Sequence, residues 1–195
     1  MFKLRNTKEI PLLKVNAQVF RHSDFGCTHL HLDCDSTEKA FSVAFRTIPK
    51  DHSGIAHILE HTVLCGSEKF PVRDPFFMMT RRSLSTFMNA MTYPDITAYP
   101  FATLNDKDFG NLLSVYLDAA FFPRIDELDF MQEGHRFELI KDGDRENLAL
   151  KGVVYNEMKG AMSSVPRQLW HGVSESLYPT TTYGFNSGGD PDFIP

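Results

Sequence analysis

Two histidines and a glutamate in the stretch SGIAHILEHTVLCGS, residues 53–67, have the types and the spacing of a metal site. Positions three or four residues apart lie on one face of a helix, so His57, Glu60 and His61 would point the same way. Neutral imidazole nitrogen is a good zinc ligand, and two histidines one helical turn apart can reach the same ion. The alternative is a polar helix face that happens to carry two histidines.

The order of these three residues predicts a hydrolytic mechanism. Catalytic zinc sites usually hold three protein ligands and leave a fourth position for water, whose pKa the metal lowers to about 7. A nearby carboxylate can then take a proton from that water, and Glu60, directly before His61, is placed to do so. The order His-x-x-Glu-His is the reverse of the commoner His-Glu-x-x-His, and unrelated helices also match it by chance.

A third protein ligand is needed, and three downstream glutamates are candidates. Glu157 lies in KGVVYNEMKGA, where an apolar run leads into a predicted helix whose first turns carry an isolated carboxylate. Glu133 and Glu138 flank the sequence GHR at a predicted helix end, and we expect both to be ordinary surface groups. Spacing alone leaves the choice open and gives Glu157 a small preference.

Other histidines and cysteines are weaker candidates. His29 and His31 alternate along a predicted strand and share one of its faces, but no carboxylate stands at a fixed spacing from them. We therefore expect a surface strand face there. Cys65, four residues after His61, could ligate a metal, yet a buried and inert thiol is the favoured interpretation. The three cysteines are odd in number and widely spaced, which predicts free thiols rather than a disulfide framework.

Strand periodicity marks several stretches of the chain. Residues 17–22 and 27–34 predict a hairpin, and residues 40–48 predict a third strand. Within residues 85–103, β-branched and aromatic residues on both sides of a Pro-Asp turn predict a second hairpin. A further strand pair around a polar Asp/Gly turn is predicted within residues 135–153.

Helix signals lie between these strands. Ser53 is the predicted N-cap of the motif helix and Gly66 its C-terminal glycine, and Asp74-Pro75 opens a second helix. From Asn105 onward an apolar stripe predicts an amphipathic helix. Residues 154–177 predict two helical pieces that a proline separates, and the tail is predicted to be a loop without a closing element. Strands followed by helices indicate an α+β fold, with a mixed or antiparallel sheet and helices packed on one face.

Composition narrows the class of partner. The chain has 195 residues, 42% of them hydrophobic, which is enough for a core in one predicted domain. Its 20 basic and 25 acidic residues give a net charge of −5, so we expect neither nucleic acid nor a membrane as partner. No apolar run approaches the length that crosses a bilayer, and the first residues match neither a signal peptide nor a transit peptide.

Longer stretches of the chain carry a family resemblance. They are HILEHTVLCGSEKFPVRDPFF, RSLSTFMNAMTYPDITAYPF, LLSVYLDAAFFP, LDFMQEG and GVVYNEMKG. They closely resemble the presequence protease branch of the pitrilysin/insulinase superfamily of zinc metalloendopeptidases, and the resemblance runs through nearly the whole chain. It implies that His57, His61 and Glu157 bind one Zn²⁺ ion per chain and that Glu60 is the catalytic base. The long interval from His61 to Glu157 also resembles this branch rather than the insulinase or processing-peptidase branches.

The resemblance also implies a fold and a way to hold substrate. The expected fold is the metallohydrolase fold shared by processing peptidases and a quorum-signal synthase. In this family an extended peptide adds as a strand to a sheet edge near the zinc, so that backbone hydrogen bonds provide the affinity. The matching segment is FMNAMT, which makes Asn89 and Ala90 the expected substrate contacts. The alternative for Asn89 is a polar residue near a turn that satisfies its own backbone.

The implied function is a zinc metalloendopeptidase domain that degrades unstructured peptides, such as cleaved targeting presequences, in the mitochondrial matrix. Two other classes share features with it. Non-catalytic relatives keep the fold for assembly, but they typically lack an intact motif. A metal-dependent lyase of the quorum-signal synthase type has the same helix motif, but it uses a cysteine as third ligand. The peptidase is therefore the favoured interpretation.

Complete members of this family are several times longer, and their two halves close as a clamshell around the peptide. Residues 1–195 are therefore expected to be the truncated N-terminal catalytic domain, with the missing C-terminal half of the parent protease as a partner. In the family that half supplies an arginine and a tyrosine that help to bind substrate and stabilise the reacting carbonyl. We expect the isolated chain to bind zinc but to cleave peptides poorly or not at all.

Overall fold

The computed structural model describes residues 1–143 and 145–195, which divide into two compact units, Met1–Glu38 and Lys39–Pro195. The first unit is an antiparallel sheet of three strands, β1 (Phe2–Ile10), β2 (Val15–His22) and β3 (Thr28–Asp33). The predicted hairpin is β2 and β3. β1 was not among the predicted strands, because most of its residues are polar on both faces and it is exposed along nearly its whole length.

The larger unit is built on a second antiparallel sheet. β4 (Lys39–Arg46) pairs with one side of β7 (Ile96–Thr103), and β5 (Ser85–Met88) and β6 (Met91–Thr92) pair with the other side. β5 and β6 therefore form one edge of this sheet, with a break at Asn89-Ala90. β6 and β7 are the predicted hairpin around the Pro-Asp turn.

Six helices accompany the strands within the described residues. They are α1 (Ile55–Thr62), α2 (Pro75–Arg82), α3 (Asp106–Phe121), α4 (Glu127–Glu133), α5 (Val153–Met162) and α6 (Val165–Leu177). Asn105 caps α3, because its side chain accepts a hydrogen bond from the backbone N–H of Asp108. Pro166 lies in the first turn of α6, as the predicted break requires. Antiparallel strands with separate helices confirm the α+β fold.

Two clusters of buried side chains hold the larger unit together. The first joins β7 to α3, which packs on the sheet, and its most buried members are Val63, Tyr99, Phe101, Leu112 and Tyr116. The second joins the motif helix α1 to α5 and to the end of the chain, through Ile58, Val154, Met158 and Ile194. The predicted loop at the end of the chain is irregular apart from a 3₁₀ turn at Thr182–Gly184, yet Ile194 is only 4% exposed. The tail is therefore part of the core under α1.

Both predicted caps of the motif helix are wrong. The N-cap is Gly54, in the left-handed region at φ 64°, and no side chain caps the helix there. A Cβ atom at Gly54 would lie 2.5 Å from the Cα of Gly189, so the packing of the tail requires a glycine and displaces the cap from Ser53. At the other end the C-cap is Val63, three residues before Gly66.

The last strand pair is β8 (Arg136–Asp142) and β9 (Arg145–Lys151), which pair antiparallel as predicted. The predicted Asp/Gly turn between them includes Asp144, which lies outside the described residues. No helix formed by residues 1–143 and 145–195 combines the length and the apolar character that crossing a membrane requires.

Candidate metal centre

The polar face of α1 carries the three residues that the spacing predicts. Among the residues that the structure describes, His57, Glu60 and His61 are the group of potential metal ligands whose ligand atoms lie within 4.8 Å of one another. His57 and Glu60 are only 8% and 5% exposed, and His61 is half-buried. Buried polar groups need hydrogen-bond partners, and the partners of these three define the chemistry of the site.

Each histidine has one ring nitrogen engaged and the other free for a metal. His57 Nδ1 lies 2.8 Å from the carbonyl oxygen of Gly188, and His61 Nδ1 lies 3.0 Å from Glu133 Oε2. A carbonyl and a carboxylate accept hydrogen bonds, so each Nδ1 carries the proton and each Nε2 keeps a lone pair. Partners of this kind orient metal-binding histidines in proteins.

Glu157, on α5, brings a carboxylate oxygen to the same point. Its Oε2 lies 3.7 Å from His57 Nε2 and 3.8 Å from His61 Nε2. Tetrahedral zinc with bonds of about 2.1 Å holds its ligands about 3.4 Å apart. The two distances from Glu157 Oε2 are therefore a few tenths of an ångström longer than a zinc site requires. Two imidazole nitrogens and one carboxylate oxygen are also a donor set that zinc accepts, so the residues fit the metal.

Glu60 and Glu157 both lie beside the histidines but differ in their surroundings. Glu60 is buried and its Oε2 accepts a hydrogen bond of 2.6 Å from the Thr92 hydroxyl. Glu157 has a half-exposed side chain whose oxygen is nearly equidistant from the two free nitrogens. Both glutamates therefore lie near the two histidines, and the assignment of Glu157 as third ligand stays a prediction.

The environment of Glu60 suits a proton acceptor. Burial raises the pKa of the Glu60 carboxyl above its ordinary value, and the hydrogen bond from Thr92 opposes that shift. A higher pKa makes a carboxylate a stronger base, provided that it remains ionised at the working pH.

Glu133 contradicts the expectation of an ordinary surface group. It is 6% exposed, because α4 packs against α1 and Glu133 lies at the end of α4 that faces His61. The signal was present in the sequence, since Glu133 follows the partly buried Phe130 by three residues and so shares its inward face. Glu138 is closer to the expectation, because it lies in a strand pair and makes ion pairs with Arg136 and Lys151.

The pKa of His61 reflects this contact. Burial works to lower the pKa, but the hydrogen bond with Glu133 and the negative charges of Glu133, Glu60 and Glu157 outweigh burial and raise it.

A second contact that the sequence did not predict is the one between the Gly188 carbonyl and His57. Gly188 comes from the predicted loop, and no local pattern indicates that this loop returns to α1.

A cleft of about 570 Å³ lies over these residues. Its walls include the apolar side chains of Leu64, Phe76 and Phe77. Asn89 and Ala90 also line it, at the break between β5 and β6. The Asn89 side chain accepts a hydrogen bond of 3.0 Å from the Ala90 N–H, which is the local bond that the alternative interpretation of Asn89 describes. Contact between these two residues and a substrate stays a prediction.

The remaining candidates behave as predicted. All three cysteines are free, and Cys65 is the buried one. Burial raises the pKa of the Cys65 thiol to about 12, which makes it inert at neutral pH. His29 and His31 lie on an exposed strand.

Comparison with known proteins places the chain among peptidases. The family model described as Insulinase (Peptidase family M16) matches residues 46–150. A protein of Mus musculus named presequence protease, mitochondrial, is 52% identical over 195 residues, which are 100% of this chain and 19% of that protein. Its namesake in Eremothecium gossypii is 51% identical over 194 residues, 99% of this chain and 19% of that protein. The chain thus spans about a fifth of the length of the curated relatives that it matches.

A solved structure supports the fold. The crystal structure of pitrilysin matches with a TM-score of 0.67 and 19% sequence identity, over 100% of this chain and 19% of that chain.

Proposed function

Because the chain belongs to the insulinase family of peptidases, peptidase family M16, we propose that it is the zinc-binding catalytic part of a metalloendopeptidase. The observation that carries this proposal is the approach of His57 Nε2, His61 Nε2 and Glu157 Oε2 to one point, with Glu60 beside them. A non-catalytic relative of the same fold would need none of these side chains in this arrangement.

His57, His61 and Glu157 would hold the zinc ion. When bound, zinc would polarise a water molecule and the peptide carbonyl and so make the water a nucleophile near neutral pH. The Gly188 carbonyl and the Glu133 carboxylate keep the two imidazole rings in the orientation that presents Nε2, because each accepts a hydrogen bond from an Nδ1–H group.

Glu60 is the proposed general base. Its carboxylate takes a proton from the water that attacks the peptide carbonyl carbon, and the C–N bond then breaks. The same proton passes from Glu60 to the departing amine nitrogen, which returns the carboxylate to its starting state. Burial of Glu60 supports this role, because the raised pKa of its carboxyl favours the protonated intermediate state.

The substrate class that we propose is an extended peptide. The β5–β6 edge lies at the cleft, and an edge strand offers backbone N–H and C=O groups that can pair with a peptide of almost any sequence. Asn89 and Ala90 lie at the break in this edge. A peptide carbonyl that binds the Ala90 N–H would displace the Asn89 side chain from it. We infer that the peptides include cleaved targeting presequences and that the protein works in the mitochondrion, since the relatives are named mitochondrial presequence proteases.

We also propose that residues 1–195 act together with a further part of a longer protein. The relatives are about five times as long as this chain, and a cleft open on one side excludes water poorly. Donors that stabilise the developing oxyanion are worth about 10²–10³ in turnover. The 195-residue chain is therefore expected to bind zinc and to cleave a basic amphipathic peptide slowly or not at all.

The test is the variant Glu60→Gln in a longer protein that contains residues 1–195. Hydrolysis of an unstructured basic peptide should be abolished while one zinc ion per chain is retained, because the base is lost and the three ligands are not. Zinc content and cleavage are measured on the same preparation. Loss of zinc, or normal cleavage, would contradict the proposed role of Glu60.

A further inference from the structure

A row of three threonine hydroxyls leads from the sheet to the proposed base. The Thr92 hydroxyl donates a hydrogen bond of 2.6 Å to Glu60 Oε2. Its oxygen lies 3.2 Å from Thr97 Oγ1, and Thr97 Oγ1 lies 2.8 Å from Thr47 Oγ1. Thr92 and Thr97 are directly opposite each other on β6 and β7, and Thr47 follows β4 on the other side of β7. The row therefore crosses three neighbouring segments of one sheet.

The number of hydroxyl hydrogens determines which threonine donates each hydrogen bond in this row. A hydroxyl has one hydrogen to donate, and an ionised carboxylate can only accept. Thr92 donates its only hydroxyl hydrogen to Glu60. Thr97 must therefore donate the hydrogen bond that joins Thr97 to Thr92. The hydrogen of Thr97 is then used as well, and Thr47 must donate to Thr97. Every hydroxyl in the row thus points toward Glu60 while the carboxylate is charged.

This arrangement makes the two oxygens of Glu60 different. Oε2 is held by Thr92, and within residues 1–143 and 145–195 no comparable hydrogen bond reaches Oε1. A glutamate has three side-chain torsions, and a strong hydrogen bond at its end fixes the last of them. Thr97 is 2% exposed and belongs to the central strand, so the anchor of the row is rigid.

We propose that Thr92 is a positioning residue that presents Glu60 Oε1 to the attacking water, and that Thr97 and Thr47 hold the Thr92 hydroxyl in its donating orientation. This inference rests on the proposed function, because it takes Glu60 as the base. In this role Thr92, which also lines the cleft, acts through Glu60 rather than on the reacting bond. The alternative is a threonine that only satisfies a buried carboxylate.

The first experiment compares Thr92→Val, Thr92→Ser and the wild type in a longer protein that contains residues 1–195. Valine has nearly the shape of threonine but no hydroxyl, so kcat should fall roughly tenfold to a hundredfold while KM and zinc content stay unchanged. Serine keeps the hydroxyl and should restore most of kcat. A merely structural role would lower the melting temperature without this split between kcat and KM.

The matched control is Thr103→Val. Thr103 is also buried in β7, but its hydroxyl bonds with Asp108 and the Leu84 carbonyl and is not part of the row. Its replacement should destabilise the fold and leave kcat of the folded protein unchanged. Thr97→Val should lower kcat less than Thr92→Val. The Thr92 hydroxyl would still donate to Glu60, but it would no longer accept a hydrogen bond from Thr97.

A second measurement does not depend on turnover. In the 195-residue chain, proton NMR should detect a slowly exchanging Thr92 hydroxyl with a nuclear Overhauser contact to the Glu60 side chain, and Thr97→Val should speed its exchange. Absence of that contact would overturn this inference but not the proposed function. The same holds if Thr92→Val keeps the wild-type kcat while Glu60→Gln is inactive. A longer wild-type protein that cleaves no peptide overturns the proposed function, and the inference with it.

Discussion

The chain carries two pairs of histidines that share a face, and their surroundings differ sharply. His29 and His31 lie on the exposed strand β3, with ring centroids 6.5 Å apart. His29 contacts the rings of Phe2 and Phe20. His57 and His61 lie on α1, with ring centroids 4.9 Å apart and with an acceptor at each Nδ1.

The difference shows that two histidines on one face are not a metal site by themselves. Among the described residues, the Glu60 carboxylate joins His57 and His61 in a group of possible metal ligands, and no such group includes His29 or His31. The acceptors at Nδ1 fix which nitrogen is free, and His57 and His61 are also less exposed than His29 and His31. We therefore expect metal chemistry only at the pair on α1.

The largest expected effect is the loss of zinc from the 195-residue chain when both His57 and His61 are replaced by alanine. Zinc affinity should fall by about a thousandfold or more, because each ligand supplies several kcal/mol of the binding free energy. The matched control is the double variant His29→Ala/His31→Ala, which should bind one zinc ion with wild-type affinity. Competition titration with a chelator measures the zinc affinity of both variants. Equal losses of affinity would show that the two histidine pairs do not differ in zinc binding.

A smaller effect is expected from Glu133→Ala. The His61 ring would lose the acceptor that orients it, and partners of this kind typically contribute about 10- to 100-fold to metal affinity. Glu138→Ala is the control, because Glu138 pairs with Arg136 and Lys151 in the β8–β9 pair. The same chelator titration applies. If the two variants bound zinc equally well, Glu133 would not support the site.

The pKa of His61 predicts the response of the site to acid. The contact with Glu133 raises that pKa against the effect of burial, and zinc binds only the deprotonated ring. Zinc affinity is therefore highest above the raised pKa of His61, and it declines as the pH falls through that pKa. In Glu133→Ala the decline should begin at a lower pH, although the affinity at neutral pH is weaker. Zinc titrations between about pH 5 and pH 8 measure both curves. A decline that starts at a higher pH in the variant would reverse the expected sign.

The smallest effect concerns the thiols. Cys27 and Cys34 are exposed, whereas Cys65 is buried beside His61 with a pKa raised to about 12. Alkylation of the folded chain at about pH 8 should label Cys27 and Cys34 within minutes and label Cys65 only after unfolding, since the thiolate is the reactive form. Mass spectrometry identifies the labelled residues. Rapid labelling of Cys65 would mean that the region around the site opens readily.

The parts of the molecule that were predictable are those with local causes. The shared face of α1 follows from helical periodicity, α3 from its apolar stripe after Asn105, and the break before α6 from Pro166. The hairpin of β6 and β7 follows from its Pro-Asp turn. The α+β fold is the sum of such local signals.

The features that the sequence did not predict depend on contacts between residues that are distant in the chain. Gly54 replaces Ser53 as the cap because Gly189 packs against it, and Gly188 reaches His57 from a segment without periodicity. Glu133 is buried because α4 packs against α1, and its spacing from Phe130 alone does not identify His61 as its partner. The identity of the third ligand, Glu157, came from a family resemblance rather than from spacing, and it stays a prediction.

In the proposed site Glu157 completes the zinc ligands, and Glu60 lies beside them as the base. The most direct test is the zinc affinity of the 195-residue chain in two variants of the same chemistry, Glu157→Gln and Glu60→Gln. Glu157→Gln should weaken binding about 10²- to 10³-fold, and Glu60→Gln should bind zinc as tightly as the wild type. The opposite order, with zinc lost from Glu60→Gln and kept by Glu157→Gln, would make Glu60 the third ligand and exclude Glu157 from that role.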